Sequence, residues 1–177
     1  MAKEYHYEFE YDSRYCYPNS KVLKNKLNIL DAVQLENAER KITSLRTMEA
    51  IQKGIRGKFD FNHLKRIHKF LFGDIYSWAG KVRLVNISKG NQFCKVEFIE
   101  QQMLLKQIIM TKSIPFEVKM SPNYSINEIT EEVQASMTME NMPLTEDDIH
   151  LLRTYQASTE SEKENIRNQL IVEYTED

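Results

Sequence analysis

The chain changes sign near residue 120. Residues 1–120 carry 21 Lys and Arg against 13 Asp and Glu, a net of +8, whereas residues 121–177 carry 3 against 13, a net of −10. A polypeptide polarised in this way has three outlets for its acidic end. It can fold that end back onto the basic body, dock it on a basic partner, or leave it as a solvated acidic helix pair. The hinge between the two halves is marked in the sequence as well: KSIPFEVKMSPNYS contains Pro115 and Pro122, and proline interrupts both helices and central strands. The organisation expected is a body over 1–111, a linker over 112–124 and an acidic segment over 125–177.

Within the body the apolar spacing is helical. Gly 5 and Pro 4 among 177 residues leave few interruptions. Asp31 stands where an N-cap would precede a helix with Leu35, Ala38, Ile42 and Leu45 on one face, and Gly54 and Gly57 end it. Arg46 and Glu49 fall near the same face. Asn19 or Ser20 is a candidate cap for a shorter helix through VLKNKLN. Asp60 or Asn62 opens another helix, whose stripe is Phe61, Leu64, Ile67, Leu71, Phe72 and Ile75, with His68 inside it. Residues 82–96, VRLVNISKGNQFCKV, have strand-forming runs on either side of Lys89-Gly90-Asn91, which predicts one β-hairpin. A helix over 96–112 follows, with Phe98, Leu105 and Ile109 on one face. The acidic segment predicts three helices, over 125–140, 145–156 and 159–172. Thr145 with Asp148 and Thr159 with Glu162 have the spacing of capping boxes. The fold class expected is mainly α: six to eight helices and one hairpin.

Several function classes are disfavoured. No apolar run is long enough to span a bilayer, so no membrane role is expected. The opening MAKEYHYEFEYDSRY lacks the apolar stretch of a secretory leader, and Cys16 and Cys94 form neither a disulfide framework nor a metal-ligand spacing. A cytoplasmic setting without a metal site is the expectation. A nucleic-acid-binding module is disfavoured, because the Lys and Arg are scattered over several predicted helices without a recognised motif.

The 125–140 helix raises a specific question. On a wheel of 3.6 residues per turn, Ile126, Ile129, Val133 and Met137 share a stripe, Glu140 falls within it, and Ser136 lies at its edge. A carboxylate on a docking face needs a cation, since its burial without one costs several kcal/mol. Pro143 nearby offers the alternative that the helix stops and Glu140 turns to water.

Taken in order, the segments YCYPNSKVLKNKLNI (15–29), AERKITSLRTMEAI (38–51) and FDFNHLKRIHKFLFGDIYSWAGKVRLVNISKGNQFC (59–94) resemble the front part of the Fic (Fic/Doc) domain, covering about residues 10–103. The resemblance implies a helical fold and a protein adenylylation system, in which AMP passes from ATP-Mg²⁺ to a hydroxyl of a target protein. It also implies that the hairpin is a flap that holds the target segment by strand addition, through Asn86, Ile87, Ser88, Lys89, Gly90, Asn91 and Phe93. The family's chemistry resides in His-x-Phe-x-Asp/Glu-Gly-Asn-Gly-Arg, whose histidine is the general base, whose acid holds Mg²⁺ and whose Gly-Asn-Gly turn and arginine hold phosphates. This sequence does not contain that motif: its histidines stand at 6, 63, 68 and 150, and none begins it. No catalytic residue is therefore expected.

The acidic segment has a resemblance of its own. EEVQASMTMENMPLTEDDIHLLRTYQ (131–156) is similar to the small VbhA-type antitoxin that inhibits Fic toxins, and Ser136, Glu140 and Asn141 match its inhibitory pattern Ser/Thr-x-x-x-Glu-Gly/Asn. In that family the glutamate pairs with the active-site arginine. The expectation is a Fic-family protein that is inactive alone and carries an inhibitory helix. ATP and Mg²⁺ are cofactors by resemblance only, the partner is a target protein or a complete Fic protein, and a homo-oligomer is admitted. The competing expectation is an active, autoinhibited adenylyltransferase whose site is assembled from His68, the flap and basic residues such as Arg46 or Arg83.

Overall fold

The computed structural model describes residues 6–7, 14–58, 60–89, 91–92, 94–105 and 126–175. The fold is mainly α. The elements in order are β1 (His6–Tyr7), α1 (Ala32–Lys53), α2 (Phe61–Phe72), β2 (Ile87–Lys89), β3 (Asn91–Gln92), a 3₁₀ turn (Val96–Phe98), helical residues 99–105 (α3), α4 (Ile126–Met139), α5 (Glu146–Ala157) and α6 (Glu160–Glu173). The expected linker, 112–124, lies outside the described residues, as do Gly90, Phe93 and Ile109.

α1 is the spine, and its ends form where the sequence places them. The Asp31 carboxylate accepts the Gln34 N–H at 2.8 Å, which satisfies one of the orphan donors of the first turn. Gly54 ends the helix at φ 66°, a backbone region costly for residues with a Cβ. α1 is shared between two hydrophobic clusters. Leu35, Ala38 and Ile42 pack with Val22, Leu27, Ile29, Ile75, Tyr76 and Ala79 of the body. Leu45 and Met48, one to two turns later, pack with Ile129, Val133, Met137, Leu152, Tyr155 and Leu170 of the acidic segment. The second half of α1 thus buries its apolar side against α4, α5 and α6. At ~1.5–3 kcal/mol for each large apolar side chain removed from water, this second cluster is the apolar contribution that holds the segment on the body.

The acidic segment forms its three helices within a residue of the expected limits. Thr145 caps α5 and Thr159 caps α6, both as reciprocal capping boxes: each hydroxyl accepts the N–H three residues on, and the Asp148 or Glu162 carboxylate accepts the cap's own N–H. Two expectations for the body are corrected. VLKNKLN is not a helix. Asn19 sits at φ 55°, and the buried Asn25 side chain donates to the Leu23 and Ile29 carbonyls while accepting the Ile29 N–H at 3.0 Å. An amide that satisfies the backbone in this way offers a loop what a helix would have supplied.

The second correction concerns α2. The helix starts from Asp60, but its apolar stripe is only half covered. Leu64 is 51% exposed, and the buried position of the first turn is His63. The His63 ring lies over Gly57, where a Cβ would come within 2.3 Å of it, and Nε2 contacts the Ile55 carbonyl at 2.6 Å. On the α3 side, Phe98, Leu104 and Leu105 are also exposed.

Candidate functional site

The seat of the acidic segment on α1 is built from charges as well as apolar side chains. Glu49, 3% exposed, lies between α1, α5 and α6 and accepts hydrogen bonds from Arg46 at 2.9 Å, from Arg167 and from the Tyr155 hydroxyl. Arg167 also donates to the Tyr155 hydroxyl, and Arg46 bridges onward to Asp74 at 2.7 Å. Burial pushes the Glu49 carboxyl up. The bonds from Tyr155 and Arg46 and the charge of Arg167 outweigh it and hold the group below its ordinary value. Burial raises the Tyr155 phenol, and its donation to Glu49 raises it further, so it stays protonated as the donor. Asp148 pairs with Arg40 at 2.7 Å. Burial raises its carboxyl too, but the Thr145 N–H and hydroxyl and the Arg40 guanidinium prevail and lower it. Lys53 of α1 pairs with Glu160. The sign change along the sequence is thereby used: Asp148 and Glu160 of the acidic half meet Arg40 and Lys53 of the basic half. Among the described residues, Arg167 to Glu49 runs the other way.

The end of α4 carries the expected motif. Ile129, Val133 and Met137 are buried, as the wheel requires. Glu140 is exposed. α4 stops at Met139, and Asn141 takes φ 64°. The Asn141 N–H donates to the Thr138 carbonyl at 3.0 Å, and the Met142 N–H to the Met137 carbonyl at 2.9 Å. This pair of bonds is a Schellman termination with Asn141 as the left-handed residue. The reversal brings Met142 against the buried cluster and leaves Glu140 exposed at the turn. The expectation that Glu140 points inward is therefore corrected. A helical wheel assigns a face but not what covers it: the chain reverses at Asn141, and Met142 rather than Glu140 meets the buried cluster. Ser136, half-buried, contributes its carbonyl to the Glu140 N–H at 3.3 Å. Among the described residues no cation pairs with the Glu140 carboxylate.

The hairpin forms where expected, with Ser88 opposite Gln92 and Lys89 opposite Asn91. Its root is clamped. Arg83 donates to the Val85 carbonyl at 2.6 Å and to the Cys94 carbonyl, and so ties the two feet together. The Val96 N–H donates to Asn86 Oδ1 at 2.9 Å, and the Leu84 N–H to the Tyr15 hydroxyl at 3.0 Å. Nothing in local sequence spacing signals the Tyr15 clamp or the cluster around Glu49, because Tyr15 stands 69 residues from Leu84, and Glu49 stands 106 and 118 residues from Tyr155 and Arg167.

The groups that a nucleotide-handling site would draw on are not gathered. His68 lies against Phe72 and Trp78, and its Nδ1 accepts the Gly80 N–H at 2.8 Å. Arg46 is engaged with Glu49 and Asp74, and Arg83 with the hairpin root. Among the described residues no three His, Cys, Asp or Glu side chains converge as metal ligands. Among the described residues, His68, Arg46 and Arg83 do not converge on a common site for ATP-Mg²⁺. Among the described residues no helix is long and apolar enough to cross a membrane.

No protein-family model matches the chain. Part of it is similar to protein adenylyltransferases. It is 48% identical over 77 residues to the protein adenylyltransferase VbhT of Bartonella schoenbuchensis, covering 44% of this chain and 16% of that one. It is 39% identical over 88 residues to the probable protein adenylyltransferase y4lH of Sinorhizobium fredii, covering 49% and 44%. It is 38% identical over 91 residues to the probable protein adenylyltransferase Fic of Escherichia coli, covering 50% and 44%. The shared stretch is thus less than half the length of each of these relatives. Among solved structures, the N-terminal Fic domain of a Bartonella effector protein from Bartonella sp. AR 15-3 superposes with a TM-score of 0.54 at 20% identity, over 97% of this chain and 93% of that one. The fold is that of the Fic domain.

Proposed function

From the premise that the chain is a Fic-family protein over the stretch it shares with those adenylyltransferases, we propose that it acts on the inhibitory side of protein adenylylation. In this reading it binds a complete Fic protein and does not transfer AMP itself. The carrying observation is the end of α4: an exposed Glu140, unpaired among the described residues, held at a fixed helix terminus by Asn141 and Met142. An inhibitory carboxylate that serves another molecule has to be presented outward on a rigid support. A docked α4 with a sharply terminated end supplies both. ATP and Mg²⁺ belong to the partner in this reading, since His68, Arg46 and Arg83 are each engaged elsewhere and the phosphate-binding motif does not occur in the sequence. The hairpin, Asn86 to Phe93, is the surface for an extended segment of a target protein.

The test is a calorimetric titration of the chain into a complete Fic-type adenylyltransferase. Removing one charge-assisted hydrogen bond corresponds to about a 10- to 150-fold loss of affinity, so Glu140→Ala should weaken binding by that factor while leaving the helical circular dichroism unchanged. Equal affinity of the two chains refutes the reading. The competing reading, an autoinhibited adenylyltransferase, is addressed by incubating wild type and Glu140→Gly with labelled ATP, Mg²⁺ and lysate. No labelled band is expected in either, and a band released by Glu140→Gly would transfer the assignment to that alternative.

A further inference from the structure

We propose that the N-terminal strand, His6–Tyr7, is a built-in plug of the binding hairpin: it fills the edge of β2 against which a partner's extended segment would add, so that partner binding there is a strand exchange. This rests on reading the hairpin as a binding flap and specifies how that flap is controlled.

The sheet order is β1-β2-β3, both pairings antiparallel, with His6 opposite Ser88 and Tyr7 opposite Ile87. A free two-stranded hairpin has two open edges, one on each strand. Here the β2 edge is taken by the chain's own N-terminus, and among the described residues no strand pairs with the outer edge of β3. The hairpin is a fixed template, because Arg83, Asn86 and Tyr15 anchor its root. The plug is tethered beside it. Tyr15 accepts the Leu84 N–H on its hydroxyl and the Lys24 N–H on its carbonyl at 2.7 Å, which fixes the chain there. Seven residues, 8–14, lie between Tyr7 and Tyr15, a reach of at most roughly 29 Å over the eight steps. The local concentration of β1 at the β2 edge is accordingly high.

The plug is also short. Strands commonly run ~5–6 residues, whereas β1 has two. In an antiparallel ladder, one opposite pair of residues exchanges two backbone hydrogen bonds. Two such bonds correspond to roughly a 5- to 150-fold change in binding. A weakly pairing strand is therefore excluded. β2 offers Ile87–Lys89, and the described β1 pairs with Ile87 and Ser88, so a partner strand that pairs all three positions gains the bond at Lys89 over β1.

The experiment uses the full chain and a full-chain His6→Pro/Tyr7→Pro variant, since proline lacks the N–H that a ladder requires. The probe is a fluorescein-labelled peptide of residues 1–13, MAKEYHYEFEYDS, followed by anisotropy, together with amide hydrogen exchange over 86–92. The expected result has three parts. The variant binds the peptide at least tenfold more tightly than wild type. The same peptide carrying the two prolines binds neither. Amides of Ile87–Lys89 exchange faster in the variant and regain protection when the unmodified peptide is added. Equal affinity of both chains, no binding to the variant, or unchanged exchange at Ile87–Lys89 overturns the proposal. So does loss of protection at Asn91–Gln92 as well, which would make β1 a structural strand rather than a removable one. None of these outcomes depends on adenylyltransferase binding, so failure of the inhibitory reading and failure of the plug are distinguishable.

Discussion

Replacing Glu49 is expected to loosen the acidic segment from the body before the body itself unfolds. The carboxylate is 3% exposed and is the common acceptor for Arg46, Arg167 and the Tyr155 hydroxyl. In Glu49→Ala, Arg46 keeps Asp74, so the loss falls on Arg167 and Tyr155. Removing one member of a buried ion pair costs about 3–5 kcal/mol. The Arg167 side chain retains 18% exposure and can recover some hydration, which lowers the expectation to about 2–4 kcal/mol for Glu49→Ala. Glu49→Gln, which keeps an acceptor but loses the charge, is expected to cost about 1–2 kcal/mol. For a chain of this size each kcal/mol corresponds to roughly 2–4 °C, so Glu49→Ala should lower Tm by about 4–16 °C. Urea titration gives the free energy. Hydrogen exchange gives the location, with α4 to α6 opening at lower free energy than the first half of α1. The sign of the pH dependence follows from the lowered Glu49 carboxyl. The folded value lies below the unfolded one, so its contribution is complete above the unfolded value of roughly 4.3 and is lost as pH falls through the folded value. Wild type should lose this increment in acid and Glu49→Ala should not. A Glu49→Gln chain within about 0.5 kcal/mol of wild type, with α4 to α6 exchange unchanged, would refute the assignment of Glu49 as the electrostatic seat of the segment.

Three further outcomes are expected. Asn141→Gly should leave stability within about 0.5 kcal/mol, because glycine accepts φ 64°, whereas Asn141→Val should cost about 1–3 kcal/mol by chemical denaturation, since a β-branched residue resists the left-handed region. Gly80→Ala combines φ 78° with a Cβ only 2.7 Å from the Lys69 Cβ and 2.8 Å from the Lys65 carbonyl oxygen; a loss of about 2–4 kcal/mol is expected from urea titration. Burial lowers His68 below its ordinary value, and its Nδ1 accepts from Gly80, so its contribution is present above the unfolded value of roughly 6.5 and is lost as pH falls through the folded value. The fluorescence of Trp78, the only tryptophan, with its ring 5.9 Å from that of His68, should report the transition, and His68→Gln should remove it.

Some of this protein could be read directly. Asp31, Thr145 and Thr159 announce helix starts because a cap is a three-residue relation between a side chain and its nearest backbone N–H groups. The stripe Ile129, Val133 and Met137 is legible because helical periodicity is local. The hairpin around Lys89 and Asn91 is legible for the same reason. Local rules lose where a distant or competing interaction acts. VLKNKLN has helical propensity, but Asn25 satisfies a loop through its own side chain. The α2 stripe has the period of a buried face, but Leu64 in it is exposed and the buried position of the first turn is His63. Glu140 lies in the stripe on paper, but the chain reverses at Asn141 and seats Met142 on the cluster, with Glu140 exposed.

The sequence by itself determined the helical class, the caps, the hairpin and the opposition of charge between the two halves, since each depends on residues within a turn or two, or on simple sums of charge. Only the tertiary structure decided that the acidic half packs on the second half of α1, that Glu49 collects Arg46, Arg167 and Tyr155, that Glu140 faces outward, and that His6–Tyr7 covers the edge of β2. These depend on groups up to 118 residues apart meeting in a common low-dielectric seat or ladder, and no spacing along the chain encodes which of many cations and edges will be within reach once the two hydrophobic clusters close around α1.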